Sequence, residues 1–314
     1  MQNSTFGIEA EFQVGAENVI ANLYAQGMAG DPMLHGYHCD CPTCGLGNEF
    51  PLKGQTDSSC SGEIISDILT FDGYPHPFLS DSGHDSAAVF DAIQEAAIEV
   101  DAEPGMTSGL HVHVGHGNII HSEDLKSKAF LAYLKWEPLL TKLATGRWQE
   151  MRSGNYALRD GLFRKMQQML SGAGIMGERQ WSTWFAHVDS EQMVGAYDNP
   201  GTYLYGHHYE ADRHSFLNVR TDNPTWEFRL WNSTRSAWRM EMYARTSIAM
   251  MDPAVSQRLL DESYPQRLRR ETLNRFGNML ADCGHSRASE LIDKQAHYLG
   301  YRASNAPSSL TTTN

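Results

Sequence analysis

Three short segments with the composition of β-strands each carry two polar side chains, two residues apart, in otherwise apolar surroundings. The pairs are Glu9 and Glu11 in FGIEAEF, His111 and His113 in GLHVHVG, and Glu227 and Arg229 in TWEFRLW. Because residues i and i+2 of a strand point to the same face, each segment directs two charged or metal-binding groups one way. Buried carboxylates are tolerated when they are paired or coordinate a metal ion. The repeated pattern therefore predicts a site for a polyvalent cation on one face of a sheet.

The size and charge of the chain limit its other roles. Its 314 residues, 41% of them hydrophobic, suffice for the core of one large domain or two modest ones. The net charge of −13 argues against tight nonspecific binding to nucleic acid or to an anionic membrane. The first residues show no secretory signal, and no run approaches the roughly 20 apolar residues of a membrane span. We therefore expect a cytoplasmic protein.

Periodicity and turn residues predict an α+β fold. The expected strands cover residues 5–14, 63–70, 214–221 and 225–232, the last two joined as a hairpin. The expected helices cover residues 17–28, 85–102, 122–145, 236–251 and 254–300. Residues 30–62 are rich in glycine, proline and cysteine, which predicts loops. Strands scattered among helices indicate a largely antiparallel sheet rather than a βαβ fold.

Further polar residues lie in or beside the predicted strands. Asp57 stands in a serine-rich turn and Glu63 opens an apolar strand, so both are candidate cation ligands, although an aspartate in a turn is common by itself. Asn218 and Arg220 share one face of FLNVR, the strand before TWEFRLW. A structural ladder of salt bridges accounts for such arginines, and so does a phosphate site, because arginine grips phosphate with two hydrogen bonds.

Four of the five cysteines lie close together in the sequence. They are Cys39, Cys41, Cys44 and Cys60. In a cytosolic protein such clustering suggests a tetrahedral structural zinc site, in which His35 or His38 could replace one cysteine. The spacing is irregular, however, and a loop of reduced thiols or a single disulfide accounts for the same residues. Both interpretations stay open.

Taken in order along the chain, these segments resemble the motifs of the amidoligase family. The matching motifs are G-I-E-x-E-F, D-x-S with E-I-I-S-x-I-L, G-L-H-V-H-V-G, R-S-G-N-Y, R-H-x-x-L-N and T-W-E-F-R-L-W-N-S-T. They extend from about Phe6 to about Met251. Each motif is short, and their joint order is what makes them specific. The resemblance implies an ATP-dependent carboxylate–amine ligase, with a catalytic core similar to that of glutamine synthetase and glutamate–cysteine ligase. Such a core would be a largely antiparallel, curved sheet that is lined by the site residues and backed by helices.

The resemblance implies two divalent cations, magnesium or manganese, held by carboxylates and a histidine. The ligands of the first would be Glu11, Asp57 and Glu63. The ligands of the second, between the phosphates of ATP, would be Glu9, His111 and Glu227. The sequence departs from the family pattern at Cys60 and Ser61, in the turn between Asp57 and Glu63.

Other matching positions would act on the nucleotide and on the transferred phosphoryl group. Arg229 would support phosphoryl transfer, with Glu227 and Asp57 as further catalytic residues, and His113 would lie near the nucleotide. The remaining nucleotide-binding candidates are Arg152, Asn155, Arg213, Asn218 and Arg220. The substrates would be a carboxylate and an amine, each a small molecule or part of a peptide. The sequence leaves their identity and the oligomeric state open.

The motifs also suggest how the chain divides. The ligase core would cover residues 1–252, including the cysteine-rich loop at 35–62. A long stretch at 172–212, rich in tryptophan and tyrosine, forms either a lid over the acceptor or part of the core. Residues 253–302 would form a C-terminal helical region, and residues 303–314 a disordered tail.

Two other functions fit the same residues. A zinc-dependent hydrolase would use His111, His113 and a carboxylate. A non-catalytic protein of the ligase fold would bind nucleotide and metal without turnover. Tightly bound zinc with ATP-independent hydrolysis would identify the first, and nucleotide binding without turnover would identify the second.

Overall fold

The polar pairs lie on strands of one β-sheet. The computed structural model describes residues 4–36, 39, 50–58, 60–71, 84–105, 108–115, 123–145, 217–218, 225–262 and 270–304. The strands in these residues are β1 (Thr5–Phe12), β2 (Ala29–His35), β3 (Leu52–Gln55), β4 (Gly62–Ser66), β5 (Leu69–Thr70), β6 (His84–Asp85), β7 (Gly109–Gly115), β8 (Leu217–Asn218) and β9 (Trp226–Asn232). Their order across the sheet is β2-β3-β4-β1-β7-β9-β8, and β5 pairs with β1 and β6.

The sheet is mixed, which corrects the expectation of a largely antiparallel one. β2 pairs with β3 in parallel, and β5 pairs with β6 in parallel. The pairings that join β3, β4, β1, β7, β9 and β8 are antiparallel. The parallel pairings lie away from the central strands, so all three polar pairs stand on strands with antiparallel neighbours.

The stretch predicted to be loops, residues 30–62, contains most of β2 and all of β3. Proline and glycine are poor strand formers, but pairing with a sheet overrides this weak preference. Gly54 of β3 is needed for packing, because a Cβ atom there would lie 2.8 Å from Leu34 and 2.9 Å from Ile20. The loop prediction is wrong here because a glycine used for close packing looks, in sequence, like a glycine used for a turn.

The predicted helices are present, with shifted ends. The helices in the described residues are α1 (Ala16–Ala25), α2 (Ser86–Glu99), α3 (Glu123–Thr145), α4 (Ala237–Met250), α5 (Pro253–Asp261), α6 (Arg270–Asp282) and α7 (Ser286–Ser304). The stretch 254–300 thus holds three helices, and the left-handed Gly284 (φ 94°) separates the last two. α7 runs two residues into the predicted tail, and residues 305–314 lie outside the described part. None of these helices is both long and apolar enough to cross a membrane.

Helices cover the apolar side of the central strands. Ile8, Val112 and Phe228 alternate with the polar residues of β1, β7 and β9, and each is at most 1% exposed. Trp231 of β9 stacks on Tyr243 of α4 with ring centroids 4.6 Å apart. Burying one side chain of this size contributes about 1.5–3 kcal/mol. This packing fixes the orientation of each strand and therefore directs its polar pair to the opposite face.

A β-bulge in β9 separates the polar part of the strand from its apolar end. The register of β7 against β9 shifts between the pairs Val112–Phe228 and Leu110–Trp231, so two residues of β9 stand opposite one residue of β7. The extra residue turns Trp231 toward the helices, where its indole N–H donates to Ser247 Oγ at 2.9 Å. The bulge thus keeps the polar pair on the site face without exposing the tryptophan.

Asp252 connects the start of α5 to the residue before α7, and its removal should lower stability. Its Oδ1 accepts a hydrogen bond from the Ala254 N–H at 2.8 Å, and its Oδ2 lies 3.1 Å from His285 Nε2. Burial opposes the charge, but these contacts hold the pKa of Asp252 below its ordinary value of 3.8. We expect Asp252→Ala to lower the free energy of unfolding by about 1–2 kcal/mol. Asp252→Asn retains a helix cap and should lower it less.

The pH dependence of stability separates the cap from the charge. Because the folded-state pKa is depressed, the ionic contribution of Asp252 is present above pH 3.8 and is lost as the pH falls through the folded-state pKa. Urea unfolding should therefore show a difference between the wild type and Asp252→Asn that shrinks toward zero in acid. A difference that does not change with pH would mean that charge plays no part.

Candidate metal centre

The register of four neighbouring strands brings the predicted polar residues together. β1 lies between β4 and β7, and β9 lies beyond β7. The cross-strand pairs are Glu11 with Glu63, Glu9 with His111, and His113 with Glu227. Side chains directly opposite one another have Cβ atoms about 5 Å apart. Residues far apart in the sequence are therefore close enough to share one cation.

Glu9 lies at the centre of the cluster, because each of its carboxylate oxygens meets a histidine. Oε2 lies 2.8 Å from His111 Nδ1, and Oε1 lies 3.0 Å from His113 Nε2. Burial opposes the charge of Glu9, but its hydrogen bonds to the two histidines hold its pKa well below the ordinary value of 4.5. Burial also opposes the charge of His113, yet the bond to Glu9 and the nearby Glu227 raise its pKa. Glu9 and His113 thus stabilise each other's charged form.

Glu9, His113 and Glu227 form a group able to hold a metal ion. One ligand atom from each lies within 4.8 Å of the others. Two carboxylate oxygens suit Mg²⁺ or Mn²⁺, with water completing the coordination, and an imidazole nitrogen is acceptable to softer divalent ions as well. The family resemblance named His111 as the third ligand of this cation, whereas the grouping in the structure contains His113.

Arg229 places a positive charge beside this group. Its Nη1 donates to Glu227 Oε1 at 2.5 Å, and the same oxygen lies 3.3 Å from His111 Nδ1. Glu227 is 4% exposed. A buried carboxylate that is bonded to a guanidinium has little freedom to rotate. Glu227 therefore fixes the guanidinium next to the candidate cation ligands.

Glu11 ties β1 to β7 and orients His111. Its Oε2 accepts a hydrogen bond from the Gly109 N–H at 2.5 Å, and its Oε1 lies 3.1 Å from His111 Nε2. The Ser233 hydroxyl donates to the main-chain carbonyl of Glu11. Both ring nitrogens of His111 thus meet carboxylates, because Nδ1 faces Glu9. The family resemblance implies that Glu11 is a cation ligand, and these contacts indicate that it also orients His111.

Glu63 is a buried carboxylate among other carboxylates. It is 4% exposed, and within the part of the chain that the structure describes no hydrogen bond or salt bridge reaches it. Burial, followed by the charges of Glu9, Asp57 and Glu11, raises the pKa of Glu63 to about 9. Burying an unpaired carboxylate is unfavourable by several kcal/mol. A divalent cation would offset such a penalty, and the carboxylates of Glu9, Glu11 and Glu63, which share one face of neighbouring strands, are of the type that binds one.

The turn before β4 brings Cys60 and Asp57 toward Glu63. The Cys60 S–H donates to the Gly62 carbonyl at 3.3 Å, and its sulfur lies 3.9 Å from Asp57 Oδ1. Burial and the charges of Glu11, Asp57 and Glu63 raise the pKa of Cys60 to about 12. Gly62 permits this turn, because its φ is 154° and a Cβ atom would lie 2.7 Å from a leucine methyl group. Cys60, where the sequence departs from the family pattern, therefore lies beside acidic residues of the site.

Several predicted residues lie outside the described residues. They are Arg152, Asn155, Arg213, Arg220, Cys41 and Cys44, together with the stretch 172–212. Asn218 is described in its backbone, which pairs with Glu227 between β8 and β9. The roles assigned to these residues stay predictions.

Of the predicted zinc ligands in the cysteine-rich loop, the structure describes only Cys39, Cys60 and the alternative ligand His35. Among the described residues, neither Cys39 nor Cys60 takes part in a disulfide. Cys39 Sγ lies 4.0 Å from His35 Nδ1, and His35 Nε2 lies 3.4 Å from Asp31 Oδ2. Cys60 instead faces Asp57, as described above. With Cys41 and Cys44 outside the described residues, zinc binding by this loop stays a prediction.

Two hydrogen-bond donors at the site escaped the sequence analysis. The Gly109 N–H and the Ser233 hydroxyl both bond to Glu11. The type of a residue does not reveal where its main-chain N–H will donate. The bond from Gly109 could therefore be identified only from the register of β7 against β1. The available signal for Ser233 was its place directly after the apolar strand TWEFRLWN.

The side chains of the site form a group that could hold a divalent cation, with an arginine beside it. Carboxylates and a histidine provide cation ligands, and Arg229 provides a cationic donor beside them. No protein-family model matches this chain, and no curated protein matches it. The choice among functions therefore depends on the chemistry of these side chains.

Proposed function

We propose that this protein is an ATP- and magnesium-dependent amidoligase, which joins a carboxylate to an amine through an acyl phosphate. One observation carries the proposal: cation ligands and an arginine from three strands share one partly buried site. Glu9, His113 and Glu227 supply the ligands, and Arg229 is fixed beside them. Manganese would serve in place of magnesium, because the same oxygen ligands suit both.

The chemistry of amide formation accounts for this combination of groups. A carboxylate does not react with an amine at neutral pH, because its oxygen is a poor leaving group. Transfer of the γ-phosphoryl group of ATP to the carboxylate gives an acyl phosphate, which the amine attacks with release of phosphate. Such transfer requires positioning and charge stabilisation more than covalent participation by the protein. A bound divalent cation supplies much of that charge stabilisation.

Each residue of the site then has a specific task. Glu9, His113 and Glu227 would hold the cation, and Arg229 would contact oxygens of the transferred phosphoryl group. The Arg229 guanidinium is suited to this because Glu227 already fixes its orientation at 2.5 Å. Glu11 would keep the cluster in place through its bonds to β7.

The proposal extends to the fold family and to the substrates. We infer that the central strands form a curved catalytic core similar to that of glutamine synthetase. The antiparallel arrangement of β4, β1, β7 and β9, with helices on the apolar side, supports this inference. The substrates would be a carboxylate and an amine, free or within a peptide, in the cytoplasm.

The contacts of His111 favour the ligase over a zinc hydrolase. The hydrolase would need nitrogen atoms of both His111 and His113 for one zinc ion. Both nitrogens of His111 already meet carboxylates, Nδ1 at 2.8 Å from Glu9 and Nε2 at 3.1 Å from Glu11. Both nitrogens of His111 are thus engaged by carboxylates, and the group of candidate ligands contains His113 alone of the two histidines.

Release of ADP is the direct test of the proposal. Purified protein with Mg²⁺ and ATP should release ADP only when both a carboxylate and an amine are supplied from pooled candidates. Omission of either pool and addition of a chelator are the controls, and each should stop the reaction. Hydrolysis of other substrates without ATP would favour the zinc enzyme. Binding of ATP without turnover in any pool would favour the non-catalytic protein.

A further inference from the structure

Gly7 stands inside β1, a central strand, where a glycine is unfavourable. It lies opposite His113 of β7 and two residues before Glu9, so it belongs to the face of the sheet that carries the candidate cation ligands. A glycine inside a strand weakens the strand. It is found there for a strained conformation, for a bulge, or for the close approach of another main chain or of a ligand.

Neither conformation nor packing requires a glycine at this position. Gly7 does not have a positive φ, and the register of β1 against β7 is regular from Thr5 to Ala10, so there is no bulge. Among the residues that the structure describes, a Cβ atom on Gly7 would meet nothing closer than Ser66 Oγ, at 3.7 Å. Gly115, on the same face, differs, because a Cβ atom there would lie 3.1 Å from Thr5 Oγ1. For Gly7, the approach of a ligand is the remaining reason.

The exposed side chains of the site lie around Gly7. The side chains of Glu9 and His113 are 24% and 23% exposed, and that of Arg229 is 19% exposed. The side chain of His111, by contrast, is 2% exposed. Gly7 itself is half-buried. A ligand therefore reaches the cation ligands over the part of the sheet that contains Gly7.

The order of the residues across the sheet gives the direction of this ligand. Gly7 of β1, His113 of β7 and Glu227 of β9 form one row, and Arg229 follows Glu227 on β9. Two strand spacings, about 10 Å, separate β9 from β1. A nucleoside triphosphate that binds the cation through its phosphates, with the γ-phosphate toward Arg229, would extend away from β9 and over β1. The row ends there at a residue without a side chain.

We propose that ATP crosses β1 at Gly7, with its ribose against the bare main chain of that residue. This inference rests on the proposed function, since it takes ATP as the ligand, and it adds which part of the molecule each strand holds. A side chain at position 7 would occupy the space of the ribose and would leave the cation ligands and Arg229 in place. Inorganic triphosphate has no ribose, so its binding should depend much less on this residue.

Calorimetric titration of Gly7→Val with a non-hydrolysable ATP analogue and Mn²⁺ tests the inference. We expect the analogue to bind at least about tenfold more weakly than to the wild type, because extra methyl groups in an occupied space are unfavourable by that much. The affinities for Mn²⁺ alone, and for inorganic triphosphate with Mn²⁺, should stay within about threefold of wild type, since their contacts lie elsewhere in the row.

Gly36→Val is the matched control. Gly36 follows β2 at the edge of the sheet, and a Cβ atom there would meet nothing within 4 Å among the described residues. This variant should bind Mn²⁺, inorganic triphosphate and the ATP analogue like the wild type. The inference is overturned if Gly7→Val binds the analogue like the wild type, if it loses Mn²⁺ or inorganic triphosphate to the same extent, or if the wild type binds no analogue.

Gly7→Ala keeps the inference testable if Gly7→Val does not fold. Alanine lowers the conformational entropy of the unfolded chain, so this variant should unfold at a temperature equal to or higher than that of the wild type. It should nevertheless bind the ATP analogue more weakly. Unchanged affinity for the analogue, or a lower unfolding temperature without the analogue, would mean that the glycine serves the fold and not the ligand.

Binding and turnover are measured separately, so the two proposals can fail independently. If the ATP analogue binds and Gly7→Val weakens it, but no pool of substrates leads to release of ADP, the ligase is refuted and the position of the nucleotide stands. If the wild type releases ADP as a ligase and Gly7→Val keeps full affinity for the analogue, the ligase stands and the crossing at Gly7 is refuted.

Discussion

Replacing Glu227 with glutamine should lower the rate of cation-dependent ADP formation by about 100-fold or more, several kcal/mol of transition-state stabilisation. The substitution preserves shape and removes one negative charge. That charge serves two groups at once, because Glu227 is a candidate cation ligand and bonds to Arg229 at 2.5 Å. The variant should therefore bind the cation more weakly and also hold the arginine less firmly. Initial rates of ADP release and calorimetric titration with Mn²⁺ measure these two effects.

Glu241→Gln is a matched control for this experiment. Glu241 also accepts hydrogen bonds from arginines, Arg245 at 2.8 Å and Arg287 at 3.1 Å, but it lies on α4, away from the polar face. Its substitution should leave the rate of ADP release within about twofold of wild type, because surface changes remote from a site have small effects. Equal rates in Glu227→Gln and in wild type would remove Glu227 from the mechanism.

The central part of the site could be predicted from sequence because strands have a period of two. Glu9 with Glu11, and His111 with His113, had to share a face once each segment was identified as a strand. The apolar residues that alternate with these polar residues determined which face of each strand was buried. The order of the motifs then suggested that the segments belong to one site. These inferences use only local geometry, and the described strands agree with them.

Register and bulges could not be predicted in the same way. Glu11 stands opposite Glu63, and His113 opposite Glu227, because of pairings between segments far apart in the sequence. A shift of one residue would have sent a strand's polar pair to the opposite side. The bulge in β9 is another such case, since nothing in TWEFRLW marks the point where the alternation changes.

The tasks of individual carboxylates were also beyond the sequence. Glu11 and Glu63 have the same side chain and stand opposite one another, yet their surroundings differ. Glu11 bonds to the Gly109 N–H and to His111, whereas no such bond reaches Glu63 within the described residues. Hydrogen-bond partners are a property of the folded chain. This difference leads to opposite expectations for the same substitution.

Glu63→Gln should stabilise the cation-free protein by about 3–4 kcal/mol at pH 7. Folding raises the pKa of Glu63 from 4.5 to about 9, so at neutral pH the folded protein must take up a proton that the unfolded chain lacks. Each pKa unit between the unfolded value and pH 7 corresponds to about 1.4 kcal/mol. Because folding raises the pKa, the folded state favours the protonated carboxyl group. The stabilisation by Glu63→Gln should therefore grow as the pH rises from 4.5 toward 9, and it should vanish in acid. Glutamine removes the ionisation and the penalty with it.

Glu11→Gln is the contrasting substitution on the neighbouring strand. Both carboxylate oxygens of Glu11 accept bonds, so its change should lower the free energy of unfolding by about 1–3 kcal/mol. Urea unfolding with a chelator present measures both variants, and a second series with Mn²⁺ measures the stabilisation by cation. Mn²⁺ should raise the free energy of unfolding of the wild type, and it should raise that of Glu63→Gln much less. A cation stabilises the protein only to the extent that it binds the native state. If Glu63→Gln were destabilised like Glu11→Gln, Glu63 would have to be paired by protein groups, and its burial would no longer argue for a metal.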